Sequence, residues 1–189
     1  VAITAVTGED DRGRVEISNF IVPNGPPGYT VEKAYRKMGW NASDTHPLSF
    51  EDVRLPKSAM LGPQGQGFKQ FLNILDGGRI GVAAMSVGVA QGALDEAIKY
   101  AKERQAFGQS ISKFQSIQAK IADISSQLEA ARLLTYKAAI MKDRGENFTL
   151  TAAQAKLITG RLAVRATEEA VQIHGGYGFI EEYPVCRFY

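Results

Sequence analysis

Three glycine-containing segments of this chain carry residue types that could bind a charged ligand. The first is ERQAFGQSISKFQ, residues 103–115, a polar stretch between two segments with helical periodicity. Arg104 supplies a planar cation, and Phe107 followed by Gly108 offers an aromatic face that another group can approach. An arginine with an aromatic ring could hold a pyrophosphate and stack on an adenine. The alternative is a capped turn in which Arg104 only balances a helix C-terminus.

The second segment is QIHGGYGF, residues 172–179. Its glycines would let backbone N–H groups approach an anion closely. It is not a dinucleotide-binding fingerprint, because it follows a predicted helix rather than a strand. The alternative interpretation is a glycine C-cap followed by a turn.

The third segment is LDGGR, residues 75–79, which places Asp76 and Arg79 one turn apart in an otherwise apolar predicted helix. The pair could mark a ligand pocket, where the neighbouring glycines would leave space for a substrate chain. The alternative is a local ion pair worth a few tenths of a kcal/mol.

The remaining titratable residues favour structural roles. Glu181 and Glu182 of EEYP are adjacent, so their side chains would not face each other on a helix, and we interpret them as acidic residues at a helix N-terminus. His46 and His174 are isolated in the sequence, and Cys186 has no basic partner nearby. Two histidines and one cysteine far apart predict no metal site.

Composition narrows the classes of protein. Of 189 residues, 44% are hydrophobic, which is enough for a folded core, and the formal net charge of +2 gives no case for nucleic-acid binding. A single cysteine excludes an internal disulfide and favours a reducing compartment. No signal peptide or membrane span is predicted. The chain starts inside a predicted strand and stops just after a predicted helix start, so we interpret it as a fragment.

Periodicity predicts an α+β fold with a boundary between residues 62 and 63. Residues 1–62 contain three strand-like runs, VAITAVT, VEISNFIVP and THPLSFEDVRLP, separated by turn residues. Residues 66–105 have helical spacing despite several glycines. Ser112 and Gln115 have capping-box spacing at the start of a second helix.

The second and third helices have the apolar spacing of a bundle. The second repeats Ile117, Ile121, Ile124, Leu128, Ala131 and Ala138, and the third, over about 151–172, places Ala155, Ile158, Leu162 and Ala166 on one face. Pro184 suits the first turn of a fourth helix, which the end of the chain truncates.

The order of these motifs resembles the acyl-CoA dehydrogenase family, above all its short-chain and short/branched-chain members. The resemblance rests on RIGVAAMSVGVAQGALDEAIKYAKERQAFG, ISKFQSIQAKIADI, LEAARLLTYKAA and AVQIHGGYGFIEEYPVCRFY, in that order. Upstream, KMGWNASDTHPLSFEDVRLP resembles the end of the family's middle domain. The resemblance implies that residues 1–62 are the C-terminal part of a β-barrel-like middle domain and residues 63–189 an incomplete four-helix bundle.

The resemblance also implies roles for particular residues. Contacts to FAD are implied for Arg104, Phe107, Gln115, Gln172, Ile173, His174, Gly175 and Gly176. Arg104 and Phe107 would grip the diphosphate and adenine, typically of a neighbouring subunit's flavin. His174 stands where Leu or another apolar residue is common. An acyl-CoA site is implied for Asp76, Gly77, Gly78 and Arg79.

The implied activity is FAD-dependent α,β-dehydrogenation of a short or short-branched acyl-CoA, with electrons passed to an electron-transfer flavoprotein. A homotetramer, a dimer of dimers, is implied, in the bacterial cytoplasm or the mitochondrial matrix. The catalytic Glu is expected beyond Tyr189, and the position that carries it in other members is Gly78 here, so no catalytic residue is assigned. The alternatives are another flavoenzyme of this fold, such as an oxidase or monooxygenase, and an inactive oligomerisation and FAD-contact fragment.

Overall fold

A computed structural model describes residues 1–189, which form two compact units, Val1–Asn73 and Ile74–Tyr189. In the first unit, strand β2 (Val15–Ile21) lies between and antiparallel to β1 (Ala2–Glu9) and β5 (Met60–Leu61). A separate antiparallel pair joins β3 (Tyr29–Val31) to β4 (Leu48–Phe50). These sheets do not close a barrel within this chain.

The first turn of helix α1 (Gly67–Glu103) packs closely on strand β2. A Cβ atom at Gly67 would lie 2.7 Å from backbone atoms of Ser18, so only glycine fits there. The buried Asn19 amide donates hydrogen bonds of 3.0 Å to the Gly67 carbonyl and to Gln70 Oε1. Buried polar groups of the strand are therefore satisfied by the start of the helix.

The second unit is a helical bundle. Helix α1 continues through it and is followed by a short hairpin of β6 (Gln105–Ala106) and β7 (Gln109–Ser110). Then come α2 (Gln115–Asp143), α3 (Thr149–His174) and the single-turn α4 (Val185–Phe188). No helix is long and apolar enough to cross a membrane.

Small side chains let these helices approach closely. The buried core is dominated by alanines of α1, α2 and α3, interleaved with larger residues such as Leu94, Ile124, Leu128 and Leu162. This density explains how α1 tolerates several glycines, each of which costs about 1 kcal/mol in an isolated helix. Tertiary packing stabilises the helix where its intrinsic propensity is low.

The predicted α+β fold class is confirmed. The predicted seam of α2 is also confirmed, because Ile124, Leu128, Ala131 and Ala138 are buried. The boundary between residues 62 and 63 stays a prediction.

Two details predicted for the helices were wrong. Ile158 is 47% exposed, because α3 buries the stripe containing Ala155, Thr159 and Leu162 instead. Ser112 does not cap α2: it lies in a 3₁₀ turn, Ile111–Lys113, and the N-cap is Phe114, which makes no side-chain cap bond.

Candidate functional site

The C-terminal ends of α1 and α3 meet beside the β6–β7 hairpin. Arg104 lies between α1 and the hairpin, with its backbone N–H bonded to the Tyr100 carbonyl at 2.8 Å and its own carbonyl accepting from the Ile111 N–H at 2.9 Å. The Ser110 hydroxyl donates to the Ala101 carbonyl at 2.7 Å, which satisfies one of the free carbonyls of the last turn of α1. The hairpin thereby fixes the backbone that carries Arg104.

The tip of this hairpin holds Phe107 in an unusual conformation. Phe107 and Gly108 have φ angles of 51° and 78°, as a two-residue type I′ turn requires. A positive φ is unfavourable for a bulky residue, and such positions cluster at functional sites. The Phe107 side chain is 96% exposed and touches Phe114 edge-on, with ring centroids 6.2 Å apart. A large aromatic surface is therefore presented to the outside of the chain.

A cleft of about 460 Å³ lies between the ends of α1 and α3. Its volume is within the range of small-molecule sites. Its lining residues come from the end of α1, the turn before α2, and the end of α3 with the loop after it: Tyr100, Arg104, Ile111, Ile173, His174, Gly175, Gly176 and Tyr177.

Arg104 gives the cleft a cation that no carboxylate of the chain neutralises, since it forms no ion pair here. Its guanidinium lies over the Tyr177 ring, 5.6 Å from the ring centroid. Two helix C-termini favour a cation at this place. The stacked guanidinium retains donors for an anion such as a pyrophosphate.

His174 and Tyr100 line the cleft, and Tyr183 packs against both of their rings. The rings of Tyr100 and His174 are stacked with centroids 4.2 Å apart, and Tyr183 meets each of them nearly edge-on. Burial removes Tyr100 from water and raises the pKa of its phenol, so the hydroxyl stays protonated at neutral pH. His174 is buried, and its Nδ1 lies 2.8 Å from the Ala170 carbonyl oxygen.

The glycines at the end of α3 leave one side of the cleft open. Gly175 ends the helix with φ at 57°, a conformation that favours glycine. A Cβ atom added at Gly175 or Gly176 would meet nothing within 4 Å, so both positions border free space. A ligand bound beside Arg104 can therefore approach this stretch of backbone closely.

Arg104, Ile173, His174, Gly175 and Gly176 thus share one cleft. The other predicted cofactor residues, Phe107, Gln115 and Gln172, do not line it and are exposed on the surface. Tyr100, Ile111 and Tyr177, which no sequence motif marked as functional, complete the lining. Tyr100 could have been found from its position one helical turn before Arg104.

The predicted substrate segment lies near the other end of the bundle. Asp76 forms an ion pair with Arg79 and accepts a hydrogen bond of 2.6 Å from the Thr149 hydroxyl at the start of α3. A Cβ atom at Gly77 would lie 3.2 Å from Lys142 Nζ, whereas Gly78 borders open space. At a rise of about 1.5 Å per residue, about 40 Å of α1 separates Asp76 from the cleft. The structure therefore does not bring the two predicted sites together within one chain.

No group of three or more His, Cys, Asp or Glu side chains could hold a metal ion.

Glu181 and Glu182 are exposed, and the Glu181 carbonyl accepts a hydrogen bond of 3.0 Å from Arg187. Cys186 is a free thiol whose Sγ lies 3.3 Å from the Tyr183 carbonyl.

Comparisons with known proteins agree with one another. Residues 65–189 match the family model for the acyl-CoA dehydrogenase C-terminal domain. A probable acyl-CoA dehydrogenase of Bacillus subtilis, YngJ, is 50% identical over 187 residues, which is 99% of this chain and 49% of the relative. The structure of butyryl-CoA dehydrogenase from Megasphaera elsdenii superposes with a TM-score of 0.94 at 49% identity, covering 99% of this chain and 49% of that one.

A third match comes from a study of the electron transferring flavoprotein of Acidaminococcus fermentans. It has a TM-score of 0.93 and 46% identity, and it covers 99% of this chain and 49% of the other. The chain thus spans about half the length of the relatives that it matches. The family model covers most of the chain and the identities are high, so this chain belongs to the acyl-CoA dehydrogenase family.

Proposed function

We propose that the protein carrying this chain is an FAD-dependent dehydrogenase that introduces an α,β double bond into a short or short-branched acyl-CoA. Family membership supports the reaction class, and relatives named as short-chain-specific support the substrate size. The observation that carries the proposal is the convergence of Arg104 with Gly175 and Gly176 on one cleft.

FAD is the cofactor of this family, and the volume and unpaired cation of the cleft support its binding of the adenosine diphosphate half. Arg104 would bind the diphosphate through its guanidinium, and the backbone next to Gly175 and Gly176 would lie against the ligand without a side chain between them. The exposed ring of Phe107 would stack on the adenine. Gln115 and Gln172 would make further polar contacts near the edge of the site.

FAD, when bound, accepts the two electrons and the β-hydrogen that the acyl chain loses. The acyl-CoA would lie beside Asp76, Gly77, Gly78 and Arg79, and the space at Gly78 would admit part of it. Arg79 would be held in orientation by its ion pair with Asp76.

No side chain among residues 1–189 is proposed to remove the α-proton. Gly78 occupies the position where some family members carry the catalytic Glu. Glu181 and Glu182 are exposed beyond the end of α3, remote from the Asp76 segment. We propose that the base is a Glu beyond Tyr189, as in most members.

We propose that the cleft of one subunit holds the cofactor of a neighbouring subunit in a homotetramer. The separation of about 40 Å between Asp76 and the cleft along α1 supports this, because the two places would then belong to different active sites. An electron-transfer flavoprotein is the proposed electron acceptor, supported by the named subject of one matching structure. The bacterial cytoplasm is the proposed compartment, supported by the bacterial relatives.

The test is a visible spectrum of the full-length protein before and after anaerobic addition of butyryl-CoA. Bleaching of a flavin band is the expected result. A flavin band that no saturated acyl-CoA bleaches would overturn the proposed reaction. Prompt reoxidation by oxygen with formation of peroxide would instead identify an oxidase. Absence of flavin after reconstitution with FAD would favour a non-catalytic module.

A further inference from the structure

His174 is buried, but part of its ring still borders the cleft. Only 2% of its surface is exposed. Its ring stacks on Tyr100 with ring centroids 4.2 Å apart and meets the Tyr183 ring in a T-shaped contact with centroids 5.6 Å apart. These contacts fix the plane of the imidazole. The ring nevertheless lines the cleft at the end of α3, so one of its edges is available to a ligand there.

The hydrogen bond to Ala170 decides which nitrogen carries the proton. Nδ1 lies 2.8 Å from the Ala170 carbonyl oxygen, and a carbonyl can only accept, so Nδ1 must donate. In the neutral imidazole, Nε2 then holds a lone pair and acts as an acceptor.

Nε2 has no hydrogen-bond partner in this chain. His174 Nε2 is not among the fully buried side-chain atoms that lack a partner, so it keeps access to the cleft. A polar atom in an otherwise buried side chain is costly to leave without a partner. The arrangement therefore provides an acceptor that a ligand can satisfy.

The Arg104 guanidinium at this end of the cleft complements that acceptor. It can only donate, which suits phosphate oxygens, whereas the Gly175 N–H already donates to the Gln172 carbonyl. Nε2 suits a ligand N–H or O–H group. A nucleotide carries both kinds of group, because its phosphates accept and its base amine and ribose hydroxyls donate.

We propose that His174 Nε2 accepts a hydrogen bond from the adenosine half of the bound cofactor, which makes His174 a specificity-determining residue of the site. The inference rests on the proposed FAD site and extends it, since packing alone would require only an apolar side chain at this position. The donor is the adenine amine or a ribose hydroxyl.

Two substitutions separate this role from packing. In His174→Asn the amide nitrogen can replace Nδ1 as donor to Ala170, but nothing replaces Nε2. In His174→Gln the side-chain oxygen can reach the position of Nε2. We expect His174→Asn to weaken FAD binding to the full-length apoprotein by about two- to tenfold, and His174→Gln to weaken it less. Circular dichroism and thermal unfolding of each variant serve as folding controls.

Nucleotide competition then identifies the donor. ADP, IDP, 2′-deoxy-ADP and 3′-deoxy-ADP are titrated against FAD binding to the apoprotein. IDP lacks the amine, and each deoxy compound lacks one hydroxyl. We expect the wild-type protein to bind one of the three analogues about two- to tenfold more weakly than ADP, and we expect His174→Asn to lose that preference.

Two results would overturn the inference alone: FAD affinity of His174→Asn equal to wild type, or an analogue preference that persists in His174→Asn. A wild-type protein that binds neither FAD nor ADP would overturn the proposed function together with this inference. The two failures are therefore distinguishable.

Discussion

The hydroxyl of Thr149 donates a hydrogen bond of 2.6 Å to Asp76, although 73 positions separate the two residues in the chain. The other oxygen of the same carboxylate pairs with Arg79. Asp76 therefore links the start of α3 to the LDGGR segment of α1, and its ion pair fixes the position of the Arg79 guanidinium. The side chain of Asp76 is only 18% exposed, so the loss of one partner is not fully compensated by water.

Replacement of Thr149 by Val should destabilise the bundle by about 1 kcal/mol, because the Asp76 carboxylate loses a hydrogen bond while the volume at position 149 is kept. Urea unfolding of the full-length protein measures the change. Thr149→Ser keeps a hydroxyl and serves as the matched control. Equal unfolding midpoints for the Val and Ser variants would show that the bond contributes nothing.

Arg104 is expected to dominate the affinity for the cofactor. Arg104→Met should weaken FAD binding about 10- to 100-fold, because charge-assisted hydrogen bonds to the diphosphate are lost. Arg104→Lys should recover only part of this, since an ammonium keeps the charge but not the planar fork. Calorimetric titration of the apoprotein gives the affinities.

Lys102→Met is the control for net charge, since Lys102 lies in the last turn of α1 but does not line the cleft. A loss of affinity as large for Lys102→Met as for Arg104→Met would mean that only the general positive charge matters.

Gly176 and Gly178 are expected to have different roles, which substitution of each by alanine should distinguish. A Cβ atom at Gly178 would lie 2.3 Å from the Val171 carbonyl oxygen, so Gly178→Ala should lower the free energy of unfolding by about 1–3 kcal/mol. A Cβ atom at Gly176 meets no protein atom within 4 Å, so Gly176→Ala should fold normally and weaken FAD binding.

Thermal unfolding and FAD titration of both glycine variants measure the two effects. A Gly176→Ala variant with unchanged FAD affinity would place the cofactor away from this loop.

His46 should titrate above the ordinary histidine value of 6.5. Its Nδ1 lies 2.6 Å from the Glu32 carbonyl and its Nε2 lies 2.7 Å from Asp44, so both partners accept and the imidazolium satisfies both. The hydrogen bond to Glu32 is the larger cause of the raised pKa, followed by the one to Asp44. NMR titration of the imidazole measures this pKa directly, and a value at or below 6.5 would contradict the geometry.

A raised pKa in the folded state means that folding favours the protonated ring. The stabilisation by His46 is therefore fully present below the unfolded pKa of 6.5 and is lost as the pH rises through the higher folded pKa. The difference in melting temperature between the wild type and His46→Gln should shrink as the pH is raised through this window. The side chain is on the surface, so the effect should be small.

The sequence by itself determined the fold class and the bundle seam. The spacing of Ile124, Leu128, Ala131 and Ala138 marks one face of α2, and all four are buried. Such spacing is informative because a helix repeats its faces every 3.6 residues whatever it packs against. The segments around Arg104 and Gly175 could also be recognised as candidate ligand-binding motifs, because their residue types and their order along the chain identify them. Their assigned roles stay predictions.

Only the tertiary structure decided which of these residues meet. Tyr100 and Tyr177 join Arg104 and His174 because two helix ends and a loop converge, and no local pattern encodes that convergence. The wrong prediction that Ile158 faces the core has the same origin. More than one face of α3 carries apolar side chains, and packing against the neighbouring helices decides which face is buried. The link between Asp76 and Thr149 and the free Nε2 of His174 likewise depend on three-dimensional contacts, because hydrogen bonds between distant segments form only once packing brings them within about 3 Å.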